Sequence, residues 1–339
     1  MTTFIIRRLL LLIPLGLGVT MFAFILTNAI PGDPILLLVG DKTATENPGA
    51  LAFYRHQWGF DQPLPIRYVI YLEHLAHGDM GISILTRRPV LQDIRDFWPA
   101  TAELTIFAIG FALLVGIPLG VLAAVHHGRA SDHIARLVAL LGSSVPVFWL
   151  AMLALQLFYV WLKISPGVGR LDFALDPPTK ITGFFTIDSL LTGNIVDFWN
   201  SLAHLALPAM VLGANVMGLI SRMVRDSLLR TLNADFVRTA RSKGLAEGTV
   251  VYRHALRNAL IPTVTVVGLV FAQLMGGAVM TETIFAWPGL GRYAATAALS
   301  LDFSAIVSVT LVIALVFILV NLVVDLAYGV LDPRIRYSR

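Results

Sequence analysis

VRTARSKGLAEGTVVYRHALRNALIPTV, Val237 to Val264, sets five cationic side chains (Arg238, Arg241, Lys243, Arg253, Arg257) against one anionic one, Glu247. The rest of the chain is different: of 339 residues, 57% are hydrophobic and 14% are charged. Soluble domains carry roughly a quarter charged residues, and the mean hydropathy here is +0.77. The position of the charges therefore has to be read against a lipid bilayer before a sequence pI near 9.5 says anything about partners.

Outward from that stretch, apolar runs recur. A helix rises about 1.5 Å per residue, so roughly 20 apolar residues cross the hydrocarbon layer. Six spans are expected at about 9–30, 100–125, 137–162, 201–221, 260–285 and 303–328. Several contain proline (Pro14, Pro118, Pro146, Pro208, Pro262), which membrane helices tolerate because neighbours re-satisfy the freed backbone groups. Trp98, Trp161, Trp199, Tyr293 and Tyr328 flank spans at the expected headgroup levels. Arg7-Arg8 before Leu9–Ile30 resembles a signal-peptide start, but the run is long and lacks a clear small-x-small cleavage site, so it is read as a retained first span.

With the N-terminus inside, the inner segments hold 15 Lys/Arg and the outer ones 10 over many more residues; acidic residues number 5 inside and 13 outside. The short-loop bias gives an N-in, C-in topology. The division is then residues 1–30 (N-terminus and first span), 31–99 (outer segment), 100–328 (the remaining spans, with the inner loop 222–258) and 329–339 (inner tail). The outer segments 31–99 and 163–200 are too long for plain connectors, and either carry function or shield the bundle's outer end.

The inner loop reads as folded. Val224, Leu228, Leu232 and Phe236 recur every four residues, as one helical stripe. Arg222, Asp226 and Arg230 form a parallel ladder of alternating charge. Asn233 or Asp235 is expected to cap a short helix that Gly244 ends in a left-handed conformation, and Thr249 to cap another running toward Asn258. Pro262 suits the first turn of the fifth span. Nucleic acid needs a groove-reading element or an aromatic platform, and neither is present. A solvated positive-inside loop and a docking platform for a cytosolic partner both remain; the turn-punctuated helices favour the platform.

Other polar groups within spans are candidates. Glu282, in TETIF, either meets a substrate amine at the outer mouth or is a carboxylate hydrogen-bonded between helices. Glu103 reads as interfacial and Asp325 as paired with a base. Asn215 and Gln273 either line a path or join helices. No catalytic residue is expected. His126, His127, Asp132 and His133 lack a ligand-like spacing, so no metal site is expected either. There is no cysteine, no H-E-x-x-H, no G-x-S-x-G and no G-x-x-x-x-G-K-[ST]. Ser143-Ser144 reads as a helix-packing pair.

RTARSKGL followed by HALRNALIP resembles the cytoplasmic signature of ABC importer permease subunits, in the dipeptide/oligopeptide branch. Aligned on Gly244, Arg238-Thr239-Ala240 stand where the general signature has Glu-Ala-Ala. FIIRRLLLLIPLGLGVTMFAF with IPGDP, HGDMGIS (77–83), ALRNALIPTVTVVGL (255–269), TETIFAWPGLGR (281–292) and NLVVDLAYGVLDPRIR (321–336) extend the likeness over nearly the whole chain. The likeness is strongest to the B-type subunit of dipeptide permeases. It implies an all-α, six-span permease fold in a bacterial inner membrane, with 31–99 and 163–200 periplasmic and 222–258 cytoplasmic. The partners implied are a second homologous permease, two ATPase subunits, a periplasmic substrate-binding protein and membrane lipid, with no nucleic acid. ATP and Mg would be bound by the ATPases and no cofactor by this chain.

The same resemblance implies that the helix around Gly244 to Asn258 is a coupling helix seated in an ATPase cleft, in a chain moving peptides by alternating access. Arg238, Thr239, Ala240, Gly244, Tyr252, Arg253, His254, Leu256, Arg257 and Asn258 would carry that contact. Arg238, Arg241 and Arg257 would hold acidic or carbonyl groups, with Tyr252 and Leu256 as apolar anchors. Asn215, Gln273, Glu282 and Trp287 are the expected path or outer-gate residues, although the turn Trp287–Gly291 reads equally well as a plain connector. Other solutes of the family (glutathione, nickel chelates, opines) remain open; a passive channel or a membrane enzyme are the readings from other classes.

Overall fold

A computed structural model describes residues 2–29, 36, 48–57 and 60–331. The IPGDP stretch and the end of the tail lie outside the described residues, as does the side chain of Asp325. The described chain is helical: α1 (Thr2–Ala29), α2 (Pro48–Gln57), α3 (Leu64–Ala76), α4 (Val90–Val125), α5 (Ala130–Ser144), α6 (Val147–Ala154, continuing as a π-helix Leu155–Trp161), α7 (Phe185–Leu191), α8 (Ile195–Leu232), α9 (Asp235–Ser242), α10 (Glu247–Thr249, a π segment Val250–Ala255, then Leu256–Ala259), α11 (Ile261–Met275), α12 (Val279–Ile284), α13 (Leu290–Leu299) and α14 (Phe303–Leu331).

Among the described residues, three helices are each long and apolar enough to cross a bilayer: α4, α8 and the Phe303–Val324 part of α14. The count rises to five if two bent pairs, α5 with α6 and α10 with α11, each make one crossing. The expected span 137–162 is not one rod. It breaks at Val145-Pro146 with a bend of 102°. Proline lacks the N–H that would continue the ladder, and Val145 before it is driven to an extended conformation (ψ 129°). The expected span 260–285 also stops early, at Met275, because Gly276-Gly277 follow and Gly277 takes φ +102°.

α4 and α8 form the spine. Close backbone approach holds it together: a Cβ on Gly213 would stand 2.5 Å from the Ala108 carbonyl oxygen, and Gly218 admits the backbone of Ala139 in α5 in the same way. In lipid the association of helices rests on such small-residue packing rather than on excluding water. α1 leans on α14 and α3, where the Thr20 and Tyr68 hydroxyls meet at 2.9 Å and Phe24 meets the Tyr68 ring edge-on at 5.3 Å.

The largest buried cluster lies at the end of the spine that carries the cationic loop. Val121 and Ala124 of α4 and Ile220, Val224 and Leu228 of α8 pack with Val237 and Ala240 of α9 and Val250, Val251 and Ala255 of α10. The loop helices therefore share one core with two spans.

Candidate functional site: the cationic helix pair

α9 and α10 put their apolar faces into that core and their charges outside. Gly244 ends α9 at φ +74°, the left-handed conformation expected. Arg241 grips Glu247 across the turn, Nη2–Oε1 2.6 Å and Nε–Oε2 3.1 Å. This fork closes 243–246 into a short rigid elbow, and the Arg241 guanidinium holds the Glu247 carboxyl below the usual range. Arg241 is thus engaged within the chain through Nε and Nη2. Pro262 sits in the first turn of α11 as expected.

Several local expectations need correction. Ala234 is the residue before α9, and neither Asn233 nor Asp235 caps it; Asn233 instead ends α8. α10 starts at Glu247 behind Ala246, which puts Thr249 inside the helix. The stripe Val224, Leu228, Leu232 does not reach Phe236, which is 46% exposed because α8 ends at Leu232 and α9 leaves in a new direction. The charge ladder is not formed either: Asp226 meets Arg225 (3.3 Å), while Arg222 donates to Ser143 Oγ (3.1 Å).

The outward face carries Arg238, Thr239, Tyr252, Arg253, Arg257 and Asn258, all exposed; Tyr252 is 65% exposed. His254 and Leu256 are half-buried beside them, and Ala240 is buried beneath. Arg238 has one weak contact, Asp235 at 3.4 Å. Among the described residues Arg253 and Arg257 have no side-chain partner. An apolar groove of about 740 Å³ runs beside this face between α4 and α10, with Pro118, Leu122, Val251, Tyr252 and Leu256 in its walls.

At the opposite end of the spine, the expected gate residues are locked in place. Glu282 is fully buried and accepts hydrogen bonds from Thr101 Oγ1 (2.8 Å) and the Arg292 backbone N–H (2.8 Å). Trp287 is 1% exposed and donates Nε1–H to the Ala100 carbonyl at 2.8 Å. Gly289 and Gly291 let the loop backbone lie against the Glu282 carboxylate; a Cβ on Gly289 would stand 2.5 Å from its Cδ. This is the carboxylate hydrogen-bonded between helices, one of the two alternatives, and not a group open to solvent. Asn215 joins helices, its Nδ2 donating to the Ser143 carbonyl at 3.2 Å, whereas Gln273 is exposed on α11.

A second buried carboxylate went largely unread in the sequence. Glu103 forms an ion pair with Arg170, which is 7% exposed, and accepts from Thr186 N (2.9 Å) and Oγ1 (2.7 Å). The Arg170 guanidinium also lies 3.7 Å from the Phe185 ring centre and donates to the Gly183 carbonyl at 3.0 Å. The pair clamps the segment 163–184 over α4. Its only signal was the single arginine of that segment, ending SPGVGR.

Residues 116–337 match the sequence profile of the family "Binding-protein-dependent transport system inner membrane component", and residues 1–105 match the N-terminal profile of the same kind of component. The chain belongs to this family. It is 48% identical over 318 residues to the probable D,D-dipeptide transport system permease protein DdpB of Escherichia coli K12, covering 94% of this chain and 93% of that one. It is 43% identical to the dipeptide transport system permease protein DppB of the same organism over the full length of both. Among solved structures, an inward-facing conformation of the MetNI methionine ABC transporter aligns with TM-score 0.50 at 18% identity, covering 69% of this chain and 93% of that one. That likeness concerns the fold. The family and the apolar helices together make this permease component a multi-pass protein of the inner membrane.

Proposed function

We propose that this chain is a permease subunit of an ATP-driven importer for di- or oligopeptides, and that α9 and α10 couple it to an ATPase. The observation that carries the coupling role is mechanical. The exposed cations ride on helices whose apolar faces are buried in the same core as α4 and α8, so a push on the loop reaches the spans without slack. A driven switch needs such a rigid element joined to spans with two packings.

In this reading, six spans run N-in and C-in, with α1 as the first, α5 with α6 as the third and α11 with α12 as the fifth, while α9 and α10 belong to the inner loop. Arg238, Arg253 and Arg257 meet acidic or carbonyl groups on the ATPase, and Tyr252 and Leu256 fill an apolar notch. A second homologous permease completes the path, a periplasmic binding protein delivers the peptide, and the ATPases alone bind ATP and Mg. Glu282 and Trp287 belong to an outer junction that has to loosen when the outer side opens. The peptide class rests on the relatives named above. Glutathione or another peptide-like solute remains the alternative, decided by the binding protein.

The test is reconstitution of the chain with its permease, ATPase and binding-protein partners in vesicles. Dipeptide uptake that requires ATP and all partners supports the reading. Dipeptide flux by this chain alone without ATP contradicts it.

A further inference from the structure

Beside the spine, α4, α5 and α8 line a cavity of about 260 Å³ whose polar walls are cationic. Arg136, Arg222 and Arg225 line it together with Ser221, and Leu140 closes one side. No acidic residue lines it. Asp132 sits just behind, with a side chain only 1% exposed, and its carboxylate is already taken: Oδ1 by Arg225 Nε (2.9 Å) and Arg136 Nε (3.2 Å), Oδ2 by Arg225 Nη2 (3.1 Å) and the Gly128 N–H (3.0 Å). Asp226 touches Arg225 from outside at 3.3 Å. Three guanidiniums thus answer to two carboxylates, and the surplus belongs to Arg222. Its one hydrogen bond among the described residues is Nη2 to Ser143 Oγ, so most of its five N–H donors are open. Arg136 has no partner for Nη1 among the described residues, its Nη2 being close to His133 Nδ1 at 2.7 Å.

The mouth of the cavity continues onto an apolar stripe. Ile134, Leu137, Leu140 and Leu141 of α5 are each more than half exposed and follow helical spacing along one side of that helix. A small free anion has no use for such a stripe; an acyl chain attached to the anion does. Basic pockets between helices at a membrane surface are built to take anionic headgroups.

We propose that Arg136 and Arg222, held beside Arg225, bind the phosphate of an anionic phospholipid, with its acyl chain lying along the α5 stripe. Arg225 and Asp132 preorganise the site, while Arg222 and Arg136 supply the donors the phosphate uses. The inference rests on the chain's place in the inner membrane; the proposed N-in topology decides only which leaflet supplies the lipid.

The test uses the complete transporter in nanodiscs of phosphatidylcholine doped with a photoactivatable phosphatidylglycerol, and maps the labelled peptides. The expected result is labelling within 130–144 and 219–230, not competed by phosphatidylcholine or by millimolar inorganic phosphate. Each guanidinium near a phosphate contributes about fivefold in lipid affinity, so R136A/R222A is expected to lose about 25-fold. R136K/R222K retains most of the binding, and K180A, at the other end of the bundle, retains all of it. If R136A/R222A does not assemble, the competition series on the unmodified transporter decides alone. Equal labelling by a phosphatidylcholine probe overturns the proposal, as does a cross-link to the second permease in place of lipid. Displacement by inorganic phosphate overturns the lipid assignment in favour of a free-anion site. A single cysteine, Arg129→Cys, probed by membrane-impermeant reagents in whole cells and in opened membranes reports the leaflet independently, so a wrong topology is told apart from an absent lipid site.

Discussion

Glu282 and Thr101, 181 residues apart in sequence, share a 2.8 Å hydrogen bond in which Thr101 Oγ1 donates to Glu282 Oε1. Thr101 Oγ1 in turn accepts the Leu290 N–H at 2.8 Å. One carboxylate and one hydroxyl therefore satisfy the backbone of the turn after α12 and fasten it to α4. Glu282→Leu strands the Arg292 N–H and the Thr101 hydroxyl in a buried place, at about 1–3 kcal/mol each. Glu282→Gln keeps an acceptor and loses less. The measurement is thermal unfolding of the purified transporter: a lowered midpoint ordered Leu > Gln is expected. An unchanged midpoint with an altered KM for peptide shows instead that Glu282 faces the substrate.

The Arg170–Glu103 pair makes a sharper prediction, because breaking a buried pair costs more than replacing it. Arg170→Met leaves Glu103 charged and buried and is expected to destabilise by about 3–5 kcal/mol. The double change Arg170→Met with Glu103→Leu is expected to recover most of that loss. Unfolding midpoints of the two single variants and the double variant close the cycle; additive losses contradict the pairing.

Gly213 lies against the Ala108 backbone with no room for a side chain. Gly213→Val forces α8 away from α4 and is expected to cost at least about 1–3 kcal/mol, as overpacking does. Yield and unfolding midpoint check it, with Gly110→Ala, whose added Cβ meets nothing within 4 Å, as the tolerant control.

The Arg241–Glu247 fork has a pH signature. Arg241 depresses the Glu247 pKa, so the fork's contribution is fully present above the ordinary glutamate value. It is lost as pH falls through the depressed one. Both side chains are well exposed, so the effect is local rather than global. Hydrogen exchange at 243–247 is expected to speed up, beyond the intrinsic pH effect, only once pH falls well below 4.5. In Arg241→Gln it is fast throughout. The same pH response in both proteins contradicts the fork.

These relationships differ in how far the sequence showed them. Hydropathy located α4, α8 and α14, because length and apolar content alone qualify a membrane helix. The left-handed Gly244 was legible because α9's pattern stops there. The 102° break at Pro146 was less so: prolines also occur inside α4 and α8, where Pro118 and Pro208 leave the helix running. Only the packing around a proline decides between a kink and a break. Long-range partners such as Glu103 with Arg170, or Asp132 with Arg225, leave no spacing to read. The two readings of Glu282 stayed open for the same reason, since its position in a span does not say whether it faces a path or a neighbouring helix. Arg241 shows the limit for charge runs: its partner is six residues away across a turn whose geometry had to be seen.

The elbow also gives a test of transmission. No neighbour lies within 4 Å of a Cβ on Gly244, so a side chain there meets only the backbone strain of φ +74°. That strain is about 1–2 kcal/mol for an ordinary residue and greater for a β-branched one. Gly244→Asn is expected to transport normally. Gly244→Val is expected to insert into the membrane and assemble, yet to move less peptide per ATP hydrolysed. Normal coupling in Gly244→Val removes the elbow from the mechanism.

The central claim is that the exposed face of α10 seats an ATP-hydrolysing partner. The chain has no cysteine, so Arg253→Cys places a single reactive thiol on that face. In the assembled transporter, a short bifunctional cross-linker at position 253 is predicted to capture an ATPase subunit in high yield, with the yield changing between nucleotide-free and ATP-bound states. Failure to capture an ATPase subunit from position 253, in a transporter that still takes up peptide, contradicts the account.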